Sequence, residues 1–159
     1  MPEIQHSDRE RAPEVTVLLA EDDEGHALLI KRNLKRAGLE CAILHFGDGE
    51  QILNFLMRRG HGPHRKAGMR YVALLDIRMP KVDGVEVLRR LKADDELRKL
   101  PVIMVTTAND PRDVEQCHHI GCSTYLTKPV DYDRFVDAIV HLGQFLKSVE
   151  IPAIGRGEE

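Results

Sequence analysis

Between residues 15 and 150 the chain alternates, five times over, a short apolar run with a longer stretch of helical periodicity. Few folds accept that pattern. A helix between two strands gives room for the right-handed crossover that returns the chain parallel to the strand it left. Five such units predict an α/β fold, a (βα)₅ doubly wound parallel sheet. The predicted strands are Val15–Ala20, Glu40–His45, Tyr71–Asp76, Pro101–Thr106 and Ser123–Thr127. The first, third and fourth are apolar on both faces, as in strands covered by helices on each side, whereas Glu40–His45 is mixed and suits an edge. The predicted helices are Glu24–Ala37, Asp48–Arg59, Gly84–Lys92, Pro111–Ile120 and Asp131–Glu150. Ala27, Ile30, Leu34 and Ala37 line one face of the first, and Gly38 is its stop. Asp83 and Asp110 are the expected N-caps of the third and fourth. Phe135, Ile139, Leu142, Leu146 and Val149 give the fifth its stripe.

With 159 residues the chain has the length of one domain, and area scaling lets roughly 69 % of its unfolded surface be buried. Residues 1–14 and 151–159 read as polar tails around a domain at 15–150. Only nine residues follow Glu150, so no output module is expected there. Lys plus Arg number 23 against 26 Asp plus Glu, which gives no global drive toward nucleic acid or an anionic membrane. No run approaches the roughly 18 apolar residues of a membrane span, and no secretory signal is visible at the start. Cys41, Cys117 and Cys122 form no even framework, which points to a reducing cytoplasm.

In open α/β sheets ligands bind beyond the carboxyl ends of the strands. There the chain carries Glu21-Asp22-Asp23-Glu24, Asp76, Thr106-Thr107 and Lys128-Pro129. A bare phosphate site would present Gly-rich backbone N–H groups at the first turn, and this chain presents carboxylates. Two carboxylates about 5 Å apart repel by about 3 kcal/mol at an effective dielectric near 20. A divalent cation relieves that repulsion, and all-oxygen ligands suit Mg²⁺, with Mn²⁺ as the alternative. Acids at the start of a helix also suit its dipole, so the run alone is ambiguous. Together with Asp76 and Lys128 it points to a cation site. Asp76 ends a strand of apolar residues and is a candidate nucleophile for a phosphoryl group. Such transfer needs positioning and charge neutralisation, which Lys128 and the Thr106 hydroxyl would supply.

Four segments in order, residues 17–23, 74–84, 101–108 and 125–130, read Val-Leu-Leu-Ala-Glu-Asp-Asp, Leu-Leu-Asp-Ile-Arg-Met-Pro-Lys-Val-Asp-Gly, Pro-Val-Ile-Met-Val-Thr-Thr-Ala and Tyr-Leu-Thr-Lys-Pro-Val. They resemble the receiver domain of two-component response regulators over about Val15 to Val149. The resemblance implies a flavodoxin-like sheet of order 2-1-3-4-5. It implies that Asp76 takes a phosphoryl group from a sensor histidine kinase. It implies Mg²⁺ on Asp22, Asp76 and the Arg78 backbone carbonyl, with Glu21 acting partly through water. It assigns Thr106 and Lys128 to the phosphoryl group, Tyr125 to the switch that follows Thr106, and a cis bond to Lys128-Pro129. The protein would catalyse only its own phosphotransfer and dephosphorylation. Switching would bias the face made by the fourth helix, fifth strand and fifth helix. The fourth helix, with only Val114, Cys117 and Ile120 as its stripe, is the expected moving part.

Two positions depart from common family patterns. Arg78 stands two past Asp76, where small or polar residues are frequent, and Ala108 stands two past Thr106, where an acid or amide is frequent. A narrower resemblance, to the stand-alone regulators that partner phytochrome kinases, rests on the long loop Arg58 to Arg70, residues 91–102, Thr106-Thr107 and residues 128–135. Those regulators often form homodimers through the same face. Val136 and Val140 fit either such a seam or a wide core-facing arc. Cys117-His118-His119-Ile120-Gly121-Cys122 lacks zinc-finger spacing, and helix geometry points its two histidines apart. Arg58-Arg59 with Arg65-Lys66 lacks the aromatic neighbours of a nucleic-acid platform. Other readings are a pseudo-receiver that binds without being phosphorylated, and an Mg²⁺-dependent aspartyl phosphatase. The phosphatase needs an Asp-x-Asp after the first strand, and Glu21-x-Asp23 is not one.

Overall fold

The computed structural model describes residues 15–155. The segment 1–14 and residues 156–159, read above as tail, lie outside the described residues. The elements are β1 (Val15–Ala20), α1 (Glu24–Arg36), β2 (Ile43–Phe46), α2 (Gly49–Leu56), β3 (Met69–Leu75), α3 (Gly84–Ala93), β4 (Val102–Thr106), α4 (Pro111–Ile120), β5 (Thr124–Thr127), α5 (Tyr132–Ser148) and β6 (Ala153–Ile154). A 3₁₀ turn at Leu97–Lys99 precedes β4. The first five strands are parallel in the order β2-β1-β3-β4-β5, the flavodoxin-like order.

Side-chain alternation splits the sheet's apolar residues between two layers. Leu18, Ala20, Ala73, Leu75, Val102 and Met104 pack with α2, α3 and Cys117 of α4. Val17, Leu19, Val72, Leu74, Ile103 and Val105 pack with α1 and α5. This two-sided burial is why β1, β3 and β4 read as unbroken apolar runs.

Each helix starts on an aspartate. Asp23, Asp48, Asp83, Asp110 and Asp131 accept hydrogen bonds from the backbone N–H of His26, Gln51, Glu86, Arg112 and Arg134. Each such cap is worth about 1 kcal/mol, and together they fix where the chain turns from strand end into helix. Gly38 takes φ 91° after the Ala37 cap of α1, a conformation that favours glycine.

Some boundaries differ from the expectation. The second strand is Ile43–Phe46, not Glu40–His45, because pairing with Val17 to Ala20 of β1 sets it, not the apolar run. Helix α2 stops at Leu56, and Arg58 turns left-handed at φ 55°. The long loop that follows is tied down. The Arg65 backbone N–H donates to the Phe55 carbonyl at 3.0 Å, its side-chain Nε to the Leu56 carbonyl at 2.8 Å, and the Lys66 N–H to the Tyr71 hydroxyl at 3.0 Å.

Two expectations are corrected. Ile151 to Ile154, read as tail, leave α5 and add β6 antiparallel to β3, with Met69 opposite Ile154 and Arg70 opposite Ala153. Ile151 and Ile154 are buried, and that apolar surface holds the segment to the foot of the sheet. The Lys128-Pro129 bond is trans, the isomer favoured at X-Pro by about 0.5–1 kcal/mol.

Candidate functional site

The predicted residues meet at the carboxyl edge of the sheet. Sheet hydrogen bonding runs one residue past the strands. The Glu21 N–H donates to the Phe46 carbonyl at 3.0 Å, the Asp76 N–H to the Ala20 carbonyl at 3.1 Å and the Lys128 N–H to the Thr106 carbonyl at 2.7 Å. The residue after each strand is therefore held as firmly as the strand itself. Gly84 secures the turn beyond Asp76. Its N–H donates to the Ile77 carbonyl at 2.7 Å, and a Cβ there would stand 2.1 Å from the Asp76 carbonyl oxygen. Only glycine lets the start of α3 close over Asp76.

Glu21, Asp76, Thr106 and Lys128 are buried and Asp22 is exposed. The Lys128 ammonium bonds Glu21 Oε1 and Asp76 Oδ2, the latter at 3.0 Å. Carboxylate oxygens of Glu21, Asp22 and Asp76 lie within 4.8 Å of one another. Three carboxylates thus face one ammonium, an oxygen-only donor set that fits a hard divalent cation. Among the described residues no other group of three or more acids, histidines or cysteines has ligand spacing.

The charges are arranged unequally. Burial alone would raise Asp76, but the Thr106 hydroxyl and the Lys128 charge outweigh it and hold the carboxyl below its ordinary value. Burial pushes Glu21 up to about 7, against the pull of Lys128. Asp76 is therefore the ionised carboxylate of the pair, and Glu21 is the carboxyl that keeps a proton longest.

Tyr125 lies half-buried on β5, where its hydroxyl donates to the Ala108 carbonyl at 2.5 Å. Burial pushes its phenol up to about 12. The Ala108 N–H donates to Thr106 Oγ1 at 3.2 Å, so Tyr125 and Thr106 are joined through the β4–α4 loop. Arg78 is exposed. Its backbone N–H points to Asp76 Oδ1 at 3.4 Å, and its guanidinium makes no ion pair among the described residues. On α4 only Cys117 is buried, in keeping with its poor stripe.

Two histidines were not foreseen. His26 Nδ1 lies 3.1 Å from Lys128 Nζ, and His45 Nε2 lies 2.7 Å from the Glu21 carbonyl oxygen. Neither belongs to a motif. They reach the site through the pairing of β1 with β2 and the packing of α1 on α5, which one segment's sequence does not display.

The response regulator receiver domain model matches residues 17–140. The crystal structure of a response regulator receiver domain from Rhodospirillum rubrum is 36% identical, with a TM-score of 0.83 over 88% of this chain and 99% of that one. Response regulator Rcp1 of Synechocystis sp. is 29% identical over 148 residues, 92% of this chain and 99% of its own. The Mn²⁺-bound structure of Rcp1 has a TM-score of 0.79 at 28% identity, covering 89% and 100% of the two chains. The phosphorylated cyanobacterial phytochrome response regulator RcpA has a TM-score of 0.80 at 25% identity, covering 89% and 99%. The family match runs through the strand–helix units whose ends build this acidic cluster, and the chain belongs to the response regulator receiver domain family.

Proposed function

We propose that this protein is a phosphorylation-switched signalling receiver whose acceptor is Asp76. The observation that carries this reading is the contact of Lys128 Nζ with Asp76 Oδ2 at 3.0 Å, inside a cluster of three carboxylates. A carboxylate oxygen of Asp76 attacks the phosphorus of a phosphohistidine on a sensor histidine kinase. A P–O bond forms, the P–N bond breaks, and the leaving imidazole takes up a proton. Lys128 and the Thr106 hydroxyl then receive charge on the phosphoryl oxygens. Glu21, Asp22, Asp76 and the Arg78 backbone carbonyl are the groups that would hold Mg²⁺, or Mn²⁺. The cation supplies neutralisation of the acidic cluster and of the phosphoryl charge. The chain catalyses only its own phosphotransfer and hydrolysis.

The phosphorylated state draws Thr106 toward the acceptor, and the Ala108 backbone carries that motion to Tyr125. The readout is the face of α4, β5 and α5, where a homodimer or a target protein binds. Beside β5, α5 presents Ala138, His141 and the exposed Phe145, whereas Val136 and Val140 share a helical row with Gly143, which packs on Leu34 and Ala37 of α1. Likeness to Rcp1 and RcpA supports a phytochrome-type kinase as the donor. The free thiols of Cys41, Cys117 and Cys122 support a cytoplasmic setting.

Intact mass after incubation with Mg²⁺ and acetyl phosphate tests the reading. Gain of one phosphoryl group by the wild type and none by Asp76→Asn is the expected result. A gain in both proteins overturns the assignment of Asp76. No gain in either, with the fold intact, leaves a pseudo-receiver.

A further inference from the structure

Lys128 carries three N–H donors, and the structure gives it three acceptors. Two are Glu21 Oε1 and Asp76 Oδ2, both part of the acidic cluster. The third is His26 Nδ1 at 3.1 Å. Facing an ammonium, Nδ1 is assigned as the acceptor with the ring proton on Nε2, and the same nitrogen lies 3.7 Å from Glu21 Oε1.

His26 is held from separate directions. Its backbone N–H donates to the Asp23 cap at 2.9 Å. Its ring meets Phe135 of α5 edge-on, with centroids 5.9 Å apart and planes at 69°. A histidine on the outer face of a first helical turn is ordinarily a solvated side chain. This one instead contacts a lysine that is only 5% exposed.

We infer that His26 is a positioning residue for phosphoryl uptake, anchoring Lys128 from α1 while the lysine changes partners. The inference rests on the reading of Asp76 given above. When an Asp76 oxygen bonds phosphorus, its charge moves out to the phosphoryl oxygens, and Lys128 must leave that carboxylate to follow it. Glu21 also belongs to the cation site. Of the three acceptors, His26 alone is neither the phosphoryl acceptor nor a carboxylate of the acidic cluster. Its bond persists through the exchange and leaves the ammonium to pivot about a fixed point. Without it, a flexible four-carbon stem must find the new pose unaided.

The test compares wild type, His26→Ala, His26→Asn and His26→Gln with Mg²⁺ and acetyl phosphate, following phosphoryl gain by intact mass. The Asn carbonyl oxygen reaches about where Nδ1 stands, and that of Gln lies one bond further out. His26→Ala is expected to slow uptake about tenfold, the scale of one hydrogen bond to a charged group. His26→Asn recovers most of the rate and His26→Gln does not. Mg²⁺ titration midpoints stay within about twofold of wild type in all four, a split that general disruption of the site would not produce. An alanine variant as fast as wild type, or Asn and Ala equally slow, overturns the inference while the reading of Asp76 stands. A Mg²⁺ affinity that falls in step with the rate assigns His26 to the cation site and also overturns it. A wild type that takes up no phosphoryl group overturns the reading of Asp76 and this inference with it.

Discussion

Lys128 Nζ stands 3.0 Å from Asp76 Oδ2, although 52 positions separate the two residues along the chain. Each is the first residue beyond a strand, Asp76 after β3 and Lys128 after β5, and Thr106 ends the strand between them. The register of three parallel strands thus sets the Asp76 carboxylate, the Thr106 hydroxyl and the Lys128 ammonium side by side. Their mutual charge keeps Asp76 ionised despite its burial.

Replacing that ammonium separates its two roles. Lys128→Gln keeps a polar side chain but removes the charge that competes with a cation for Glu21 and Asp76. Mg²⁺ affinity is expected to rise several-fold while phosphoryl uptake from acetyl phosphate falls about a hundredfold, the scale of losing one charge-stabilising donor. Mg²⁺ titration and mass time courses on the same variant check both. Unchanged uptake would remove Lys128 from the phosphoryl site.

Glu21 makes the stability of metal-free protein pH-dependent. Its value rises from 4.5 to about 7 on folding, so the folded protein holds this proton more tightly than the unfolded chain does. That contribution to stability is fully present below the unfolded value and is lost as pH rises through about 7. Asp76 acts oppositely. Its lowered value contributes stability above the ordinary 3.8 that is lost as pH falls. The melting temperature of metal-free protein is therefore expected to drop between about pH 5 and about pH 8. Mg²⁺, which competes with the Glu21 proton, should stabilise more at the upper end. Glu21→Gln flattens both trends in calorimetry with and without Mg²⁺, and an undiminished slope in that variant would assign the proton elsewhere.

Arg78 bears on the lifetime of the phosphorylated state. Its guanidinium is exposed two residues past Asp76 and engaged by no acid among the described residues, so it is available to cover a phosphoryl oxygen. Arg78→Asn is expected to speed loss of the phosphoryl group about tenfold. Decay followed by intact mass after removal of the donor checks this, and an unchanged or slower decay counts against it.

The C-terminal strand belongs to the fold. Ile154 is wholly buried opposite Met69, and the Gly68 N–H donates to its carbonyl at 2.9 Å. Ile154→Ala should cost about 2–4 kcal/mol in urea unfolding. A loss under about 0.5 kcal/mol, the range of surface substitutions, would mean that β6 adds nothing to stability.

The sequence by itself determined the alternation of strands and helices, the aspartate that starts each helix, and the residues waiting at each strand end. These are local properties: side-chain period, cap chemistry, and an acid or lysine where an apolar run stops. The acidic cluster of Glu21, Asp22 and Asp76, with Thr106, Lys128 and Tyr125, could be picked out for that reason, and because four short segments matched one family in order. Tertiary structure decided what no single segment encodes. His26 reaches Lys128 across 102 positions only because α1 packs on α5. His45 reaches the Glu21 carbonyl only because β2 pairs with β1. Lys92, near the end of α3, donates to the carbonyls of Arg98 and Leu100 at 2.9 Å and closes the turn before β4. Residues 151–154 are short, carry Pro152 and run into the Gly- and Glu-rich end of the chain, so they read as tail, yet their two isoleucines find apolar surface at the foot of β3. Local pattern fixes the elements, whereas the distances within the site depend on strand register and helix packing, which exist only once the whole sheet has formed.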